Sequence, residues 1–446
     1  MNRSIPVIVL LTSIFITHFS YACTPAPCRL GGELSEYYET VDTRSAHEMR
    51  NSLHEIIDDH IRFPYTSFET DTWDVLETAD QASVDSNSIV TIYRNAVFEK
   101  RGGGNNFYNR EHTWPKSYGF PDNGPDLNYP YTDMHHLFLA DSDYNFFRSN
   151  KLFADCEMSC DEHATETNND RGGTGGGYPG DSNWTDGEFT NGRWEVWHDR
   201  RGDIARAMFY MDVRYEGGTH GETGATEPDL ILTDELILIT STNTGNNEPE
   251  AYMGMLKTLL QWHEQDPVDA VEIQHHATVS NYQQNRNPFI DHPEWVACVF
   301  GDECPVFQIN AGLNDAWYNP ETDGQGFFIT VFPDLELVLL AWFTYDTALP
   351  PDDAKSKLGD PGHRWLTAIG NIDSNQSIMD IEIASGGIFD SPGGVTRMQN
   401  GTIRLSFSDC NTGTVEYDIP SIDQNGTVPI QRVARDNISL CKQLGQ

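Results

Sequence analysis

Three short stretches govern how this chain is read: Asn109-Arg110-Glu111-His112-Thr113-Trp114-Pro115-Lys116-Ser117, Asp133-Met134-His135-His136-Leu137 and Asn145-Phe146-Phe147-Arg148-Ser149-Asn150. They hold a carboxylate beside an imidazole, a histidine pair, and an asparagine three residues ahead of an arginine. At helical spacing Asn145 and Arg148 share a face. The Glu111 carboxylate and the Asn145 amide oxygen, completed by water, make an oxygen-only ligand set suited to a hard cation such as Mg²⁺ or Ca²⁺. A neutral histidine beside such a set can take a proton from water near neutral pH. An arginine such as Arg148 can grip phosphate oxygens through two parallel N–H donors. Together these parts describe metal-assisted phosphodiester hydrolysis. One tension remains, because neighbours on a regular strand point to opposite faces. Glu111 and His112 can therefore serve one site only at an irregular strand end or a bulge. Single histidines and Glu-His pairs are also ordinary structural groups, so residue types alone leave the chemistry open.

Working outward, the region from Glu33 to about Asp302 mixes helical and strand patterns. Met49, Leu53, Ile56, Ile57 and Ile61 mark a helix over Ser45–Ile61, and Ile204, Ala207, Met208 and Met211 mark another over Asp203–Tyr215. Val90, Ile92, Tyr93 and Val97 read as one strand over Ile89–Val97. Asp161–Asn191, with its run of glycines at 172–173 and 175–177, reads as a long loop. After Cys304 the character changes. Gly326–Phe332, Glu336–Tyr345, Arg364–Ile369, Ile378–Ile383, Thr402–Phe407 and Thr414–Ile419 are β-branched or aromatic runs between Gly, Pro, Asp and Asn, the pattern of an all-β sandwich or barrel. The predicted class is α+β: a mixed domain over 23–304, then an all-β domain over 305–446.

Composition sets limits on function. The 446 residues are 38% hydrophobic with a formal charge of -40, from 28 Lys+Arg against 68 Asp+Glu. A mean hydropathy of -0.51 excludes a polytopic membrane protein. The charge argues against tight binding of nucleic acid through counterion release. It does not exclude chemistry on nucleic acid, since a divalent metal or a local arginine can recruit phosphate.

The N-terminus indicates export. Arg3 precedes an apolar run from Ile5 to Ile16, and Ser20-Tyr21-Ala22 forms a small-x-small cleavage site. The reading is a signal peptide over 1–22 and a secreted or periplasmic protein without membrane insertion. Eight cysteines, an even number, suit an oxidising compartment. Sequential pairing gives Cys23–Cys28, Cys156–Cys160, Cys298–Cys304 and Cys410–Cys441. A metal site at Cys156 and Cys160 lacks the second close His/Cys pair that tetrahedral zinc needs. His54-Glu55-Ile56-Ile57-Asp58 likewise has Asp58 where a zinc protease has its second histidine. The glycine runs are not followed by Gly-Lys-Ser/Thr and read as loops, not phosphate cradles.

The three opening stretches resemble the bacterial endonuclease I family, secreted or periplasmic nucleases with a His-Me (ββα-metal) finger. Further matches are Asp71-Thr72-Trp73-Asp74-Val75-Leu76 upstream, and Gly202-Asp203-Ile204-Ala205-Arg206 and Asn285 to Glu294 downstream. The likeness runs in order over roughly residues 33–296. It implies that His112 is the general base and that Glu111 and Asn145 hold a single Mg²⁺, with Ca²⁺ or Mn²⁺ as substitutes. It further implies DNA, and RNA as a second substrate, cut with little sequence specificity to leave 5′-phosphates. Many relatives have Asn where this chain has His136, so His135 and His136 are read as supports of the finger. Arg148, Arg206 and Arg214 are phosphate-contact candidates, with a salt bridge as the alternative for each. The C-terminal region, through Ala316-Trp317-Tyr318-Asn319-Pro320 and Ala341-Trp342-Phe343-Thr344-Tyr345, resembles an accessory β-domain of secreted bacterial proteins and implies no activity or partner. A phosphodiesterase for small esters and a surface-binding protein with a degenerate nuclease fold are the rival readings.

Overall fold

The computed structural model of the chain describes residues 34–445, except 83–84, 121–127, 174–176, 305, 323, 357 and 360. The expected signal peptide and the Cys23–Cys28 pairing lie outside the described residues. Residues 34–41 and 50–296 form one compact unit, and 42–49 with 297–445 form a second.

In the first unit, strand β1 (Tyr108–His112) pairs antiparallel with β2 (Leu137–Asp141), placing Glu111 opposite Phe138 and His112 opposite Leu137. Helix α1 (Ser142–Arg148) follows β2 directly. Asp141 starts it as N-cap, its carboxylate accepting from the backbone N–H groups of Asp143 (3.0 Å) and Tyr144 (3.3 Å). The ββα unit rests on a core of Trp73, Leu76, Ile89, Tyr108, Leu137, Leu139 and Val279. Trp73 and Leu76 come from a helix over Thr72–Ala79 that opens with a capping box between Asp71 and Asp74. Two longer helices complete the support, α2 (Arg201–Arg214) and α3 (Ala270–Gln283). Every residue of α2 from Gly202 to Arg214 is buried.

Two expectations need correction. The single strand over Ile89–Val97 is a hairpin: strands Asp85–Val90 and Val97–Glu99 pair across a turn. In that turn Asn95 takes a positive φ of 56° and its N–H donates to the Thr91 carbonyl at 3.0 Å. The long loop over 161–191 contains two antiparallel strands, Asp161–Ala164 and Ser182–Asp186. They belong to a four-stranded sheet completed by Arg193–Glu195 and Leu152–Phe153. Both strands are polar. What stabilises them is their neighbours, with Trp184 buried against the Cys156–Cys160 disulfide and Tyr178 packed alongside.

In the second unit eight strands close an antiparallel barrel: β3 (Asp315–Tyr318), β4 (Gly326–Phe332), β5 (Leu337–Tyr345), β6 (His363–Asp373), β7 (Gln376–Ser385), β8 (Thr396–Phe407), β9 (Thr412–Ile419) and β10 (Gln424–Arg432). β3 and β10 seal it, Trp317 facing Arg432 and Tyr318 facing Gln431. Closure leaves no free sheet edge. Side chains alternate: Phe327, Ile329 and Val331 fill the interior beside Leu340, Ile381 and Leu405, while Phe328 and Phe332 face outward. The first and last strands were not visible as apolar runs. The pairs Cys156–Cys160, Cys298–Cys304 and Cys410–Cys441 are disulfides, as sequential pairing predicts.

Candidate active site

His112 is the last residue of β1, and the chain leaves the strand there, with Thr113 N–H donating to the His136 carbonyl at 3.1 Å. Glu111 and His112 line the same cleft of about 450 Å³, together with Tyr65, Arg110, Lys116, Asn145 and Arg148.

Among the described residues the His112 ring makes one hydrogen bond. Its Nε2 lies 2.9 Å from the Tyr131 carbonyl oxygen. A carbonyl only accepts, so Nε2 carries the proton and Nδ1 keeps its lone pair. Burial, then His136, then Lys116 and Arg110 hold the imidazole well below its usual pKa, outweighing the Tyr131 carbonyl. His112 is therefore a neutral base at physiological pH. Tyr65 stacks on the ring at 5.7 Å with the planes 24° apart.

Glu111 is 2% exposed; its Oε1 accepts from the Tyr93 hydroxyl at 2.8 Å and is ion-paired with Arg148 Nη1 at 3.0 Å. Burial pushes its carboxyl up to about 7, although Arg148 and the Tyr93 hydroxyl favour the anion. Oε2 makes no hydrogen bond among the described residues. Asn145, on α1, is oriented through its amide nitrogen, which donates to Asn109 Oδ1 at 2.7 Å. Its Oδ1 makes none either. A carboxylate oxygen and an amide oxygen thus remain available in one cleft, the donor chemistry that a hard divalent cation takes.

Arg148 lines the cleft but is 1% exposed and committed to protein partners. Beside its ion pair with Glu111, its Nη1 donates to the His112 and Ser149 carbonyls at 3.1 and 3.2 Å and its Nη2 to the Thr113 carbonyl at 2.6 Å. It ties the carboxylate to the strand end that carries the base.

Arg206 and Arg214 correct the reading of them as phosphate contacts, for neither lines this cleft. Arg206 gives Nε and Nη2 to the two oxygens of Glu272, at 2.7 and 2.6 Å. Arg214 pairs with Glu227 at 2.9 Å and Asp58 at 2.6 Å. Both are fully buried, and a buried guanidinium with a bidentate carboxylate has few donors left. His135 and His136 support the finger from below. His136 Nε2 donates to the Pro130 carbonyl at 2.7 Å. His135 follows Asp133, whose carboxylate accepts from Tyr210, Tyr215 and Gln283.

Several residues of the site were not singled out from the sequence. Tyr93 and Tyr131 act through tertiary contact alone. Asn109 and Arg110 stand inside the quoted motif, so their position was visible while their roles were not.

A ββα unit presenting a neutral histidine, a buried glutamate and an oriented asparagine to one cleft is the architecture of a nuclease. The chain belongs to the endonuclease I family, whose model matches residues 45–294. It is similar to an extracellular ribonuclease of Bacillus amyloliquefaciens, 35% identical over 288 residues that cover 64% of this chain and 83% of the relative. An extracellular ribonuclease of Bacillus subtilis (strain 168) is 36% identical over 279 residues, covering 60% of this chain and 80% of the relative. The chain is accordingly a nuclease whose substrate is nucleic acid. No described helix is long and apolar enough to cross a membrane.

Proposed function

We propose that the chain is an exported, metal-dependent endonuclease that hydrolyses DNA and RNA with little sequence preference, using a His-Me finger. One observation carries this reading: among the described residues His112 Nδ1, Glu111 Oε2 and Asn145 Oδ1 have no protein hydrogen bond, and they belong to residues lining one cleft. His112 takes a proton from the attacking water at Nδ1, while the Tyr131 carbonyl keeps the ring in that tautomer. Arg148 and Tyr93 hold Glu111 by one oxygen and leave the other for a ligand. Glu111 and Asn145 would hold Mg²⁺, with Ca²⁺ or Mn²⁺ as substitutes. When bound, that cation polarises the phosphoryl group and stabilises the departing oxygen. Departure of the 3′ oxygen leaves 5′-phosphates. The names of the two relatives support RNA as a substrate. Three disulfides and the extracellular relatives support export.

The test is cleavage of supercoiled plasmid and of RNA with Mg²⁺, wild type beside His112→Ala. The wild type should degrade both, and the variant should lose at least about a hundredfold in rate, the range of a positioned general base. EDTA should abolish the wild-type activity. If the wild type hydrolyses a small chromogenic diester but leaves both polymers intact, the endonuclease reading fails.

A further inference from the structure

Arg110 is the cationic residue of the cleft whose guanidinium has no role in the scheme above. It lies against two aromatic rings, 3.3 Å from the centroid of Tyr65 and 4.3 Å from that of Trp73. Nη1 donates to the Tyr65 carbonyl and, at 2.7 Å, to Thr72 Oγ1, and Nη2 donates to Thr66 Oγ1 at 3.3 Å. These bonds leave the Nε–H and one Nη2–H without an acceptor among the described residues. Nε is buried and has no hydrogen-bond partner among the described residues.

Its lack of a counter-ion sets it apart. Arg50, Arg94, Arg171, Arg206 and Arg214 each hold at least one carboxylate. Arg110 has none within ion-pair distance among the described residues, in a chain with 68 Asp+Glu against 28 Lys+Arg. Keeping a partly buried charge unpaired is unfavourable, and aromatic faces offset only part of that cost. Arg148, the other guanidinium of the cleft, also has a buried Nε without a partner among the described residues, but it is ion-paired with Glu111 and donates to three carbonyls.

We propose that Arg110 is a substrate-binding residue that holds a phosphate of the nucleic-acid strand through its Nε–Nη2 edge, with Tyr65 and Trp73 keeping the guanidinium in place. The proposal rests on the nuclease reading. It gives so acidic a protein a way to engage a polyanion: a guanidinium of the cleft with no carboxylate within ion-pair distance among the described residues, next in the chain to Glu111.

The test measures binding of a fluorescein-labelled single-stranded oligonucleotide with Mg²⁺ in a His112→Ala background, over a series of NaCl concentrations. Arg110→Gln should weaken binding by about tenfold or more, the value of a charge-assisted hydrogen bond. The slope of log affinity against log salt should become more positive by about 0.7, one phosphate contact on a single strand. Arg110→Lys, which keeps the charge and loses the paired donors, should bind more weakly with a slope near that of the parent. In the enzyme with His112 intact, Arg110→Gln should raise KM more than it lowers kcat. An unchanged slope overturns the proposal even if activity falls, because a purely structural arginine alters the unfolding midpoint and not the ions displaced. Failure of the nuclease reading is distinct: the wild type then leaves plasmid and RNA uncut. Failure of the proposal alone leaves them cut, with Arg110→Gln at the wild-type KM.

Discussion

At the scale of single residues, the site works by contrasts of burial and partnership. His112 and Glu111 are adjacent, both buried, and pushed by desolvation in the same sense, toward the neutral form. The imidazole is thereby kept as a base, while the carboxylate relies on Arg148 and the Tyr93 hydroxyl to favour its anion. The same physics governs His60 away from the cleft. It is wholly buried, its Nδ1 accepts from Arg214 Nε at 3.2 Å, and Asp133 lies 3.7 Å away. Burial outweighs Asp133 and lowers the ring from 6.5 to about 3. Between those values the unfolded chain binds a proton that the folded chain refuses, so His60 costs stability as pH falls below 6.5. Gln does not titrate. The stability difference between wild type and His60→Gln should therefore move against the wild type by about 1.4 kcal/mol per pH unit from about pH 6.5 downward. Urea unfolding of both proteins across that range checks it, and a constant difference would mean that His60 is protonated in the fold.

At the scale of elements, the ββα unit brings together what the chain separates by more than thirty positions. Its first strand and its helix carry the candidate site residues, and its second strand supplies buried side chains, Leu137 and Leu139, to the core. The motif residues were legible because their types are chemically specific and their order matches a known family. Tyr93, Tyr131 and Arg148's true partners were not legible, because each depends on which carbonyl or carboxylate the fold brings near. Arg206 shows the limit most clearly. Its position within a family motif on a helix suggested phosphate, yet α2 is buried all round and Glu272 on α3 meets the guanidinium with both oxygens. Arg206→Met should cost about 3–5 kcal/mol, since it strands a buried carboxylate. KM for nucleic acid should stay at the wild-type value. Denaturant unfolding and steady-state kinetics on one preparation separate the two roles, and a raised KM without loss of stability would restore the phosphate assignment.

At the scale of the whole molecule, the -40 charge opposes the substrate. The repulsion is long-ranged and acts over about 30 Å at 0.01 M salt but only about 8 Å at 0.15 M. Cleavage at substrate concentrations below KM should therefore speed up as NaCl rises through that interval, before any loss of local phosphate contacts dominates. Initial rates on plasmid at constant Mg²⁺ measure this, and a monotonic fall from the lowest salt would show that local cations outweigh the global field. The barrel illustrates a second gap between sequence and architecture. Its central strands announce themselves by apolar alternation. Asp315–Tyr318 and Gln424–Arg432, which close it, do not, because short or polar strands gain their stability from hydrogen bonding to both neighbours.

By itself the sequence determined the two-part α+β organisation and the cysteine pairs within the described residues, and it singled out Glu111, His112 and Asn145 as candidates, since these rest on local periodicity, short chain separation, side-chain chemistry and a family resemblance. Only the tertiary structure decided that the polar 161–191 segment forms strands, that Arg206 and Arg214 are tied to carboxylates, and that Arg110 is left without one. Pairing of that kind is set by which groups burial brings within hydrogen-bond reach, and no property of a residue taken alone contains that information.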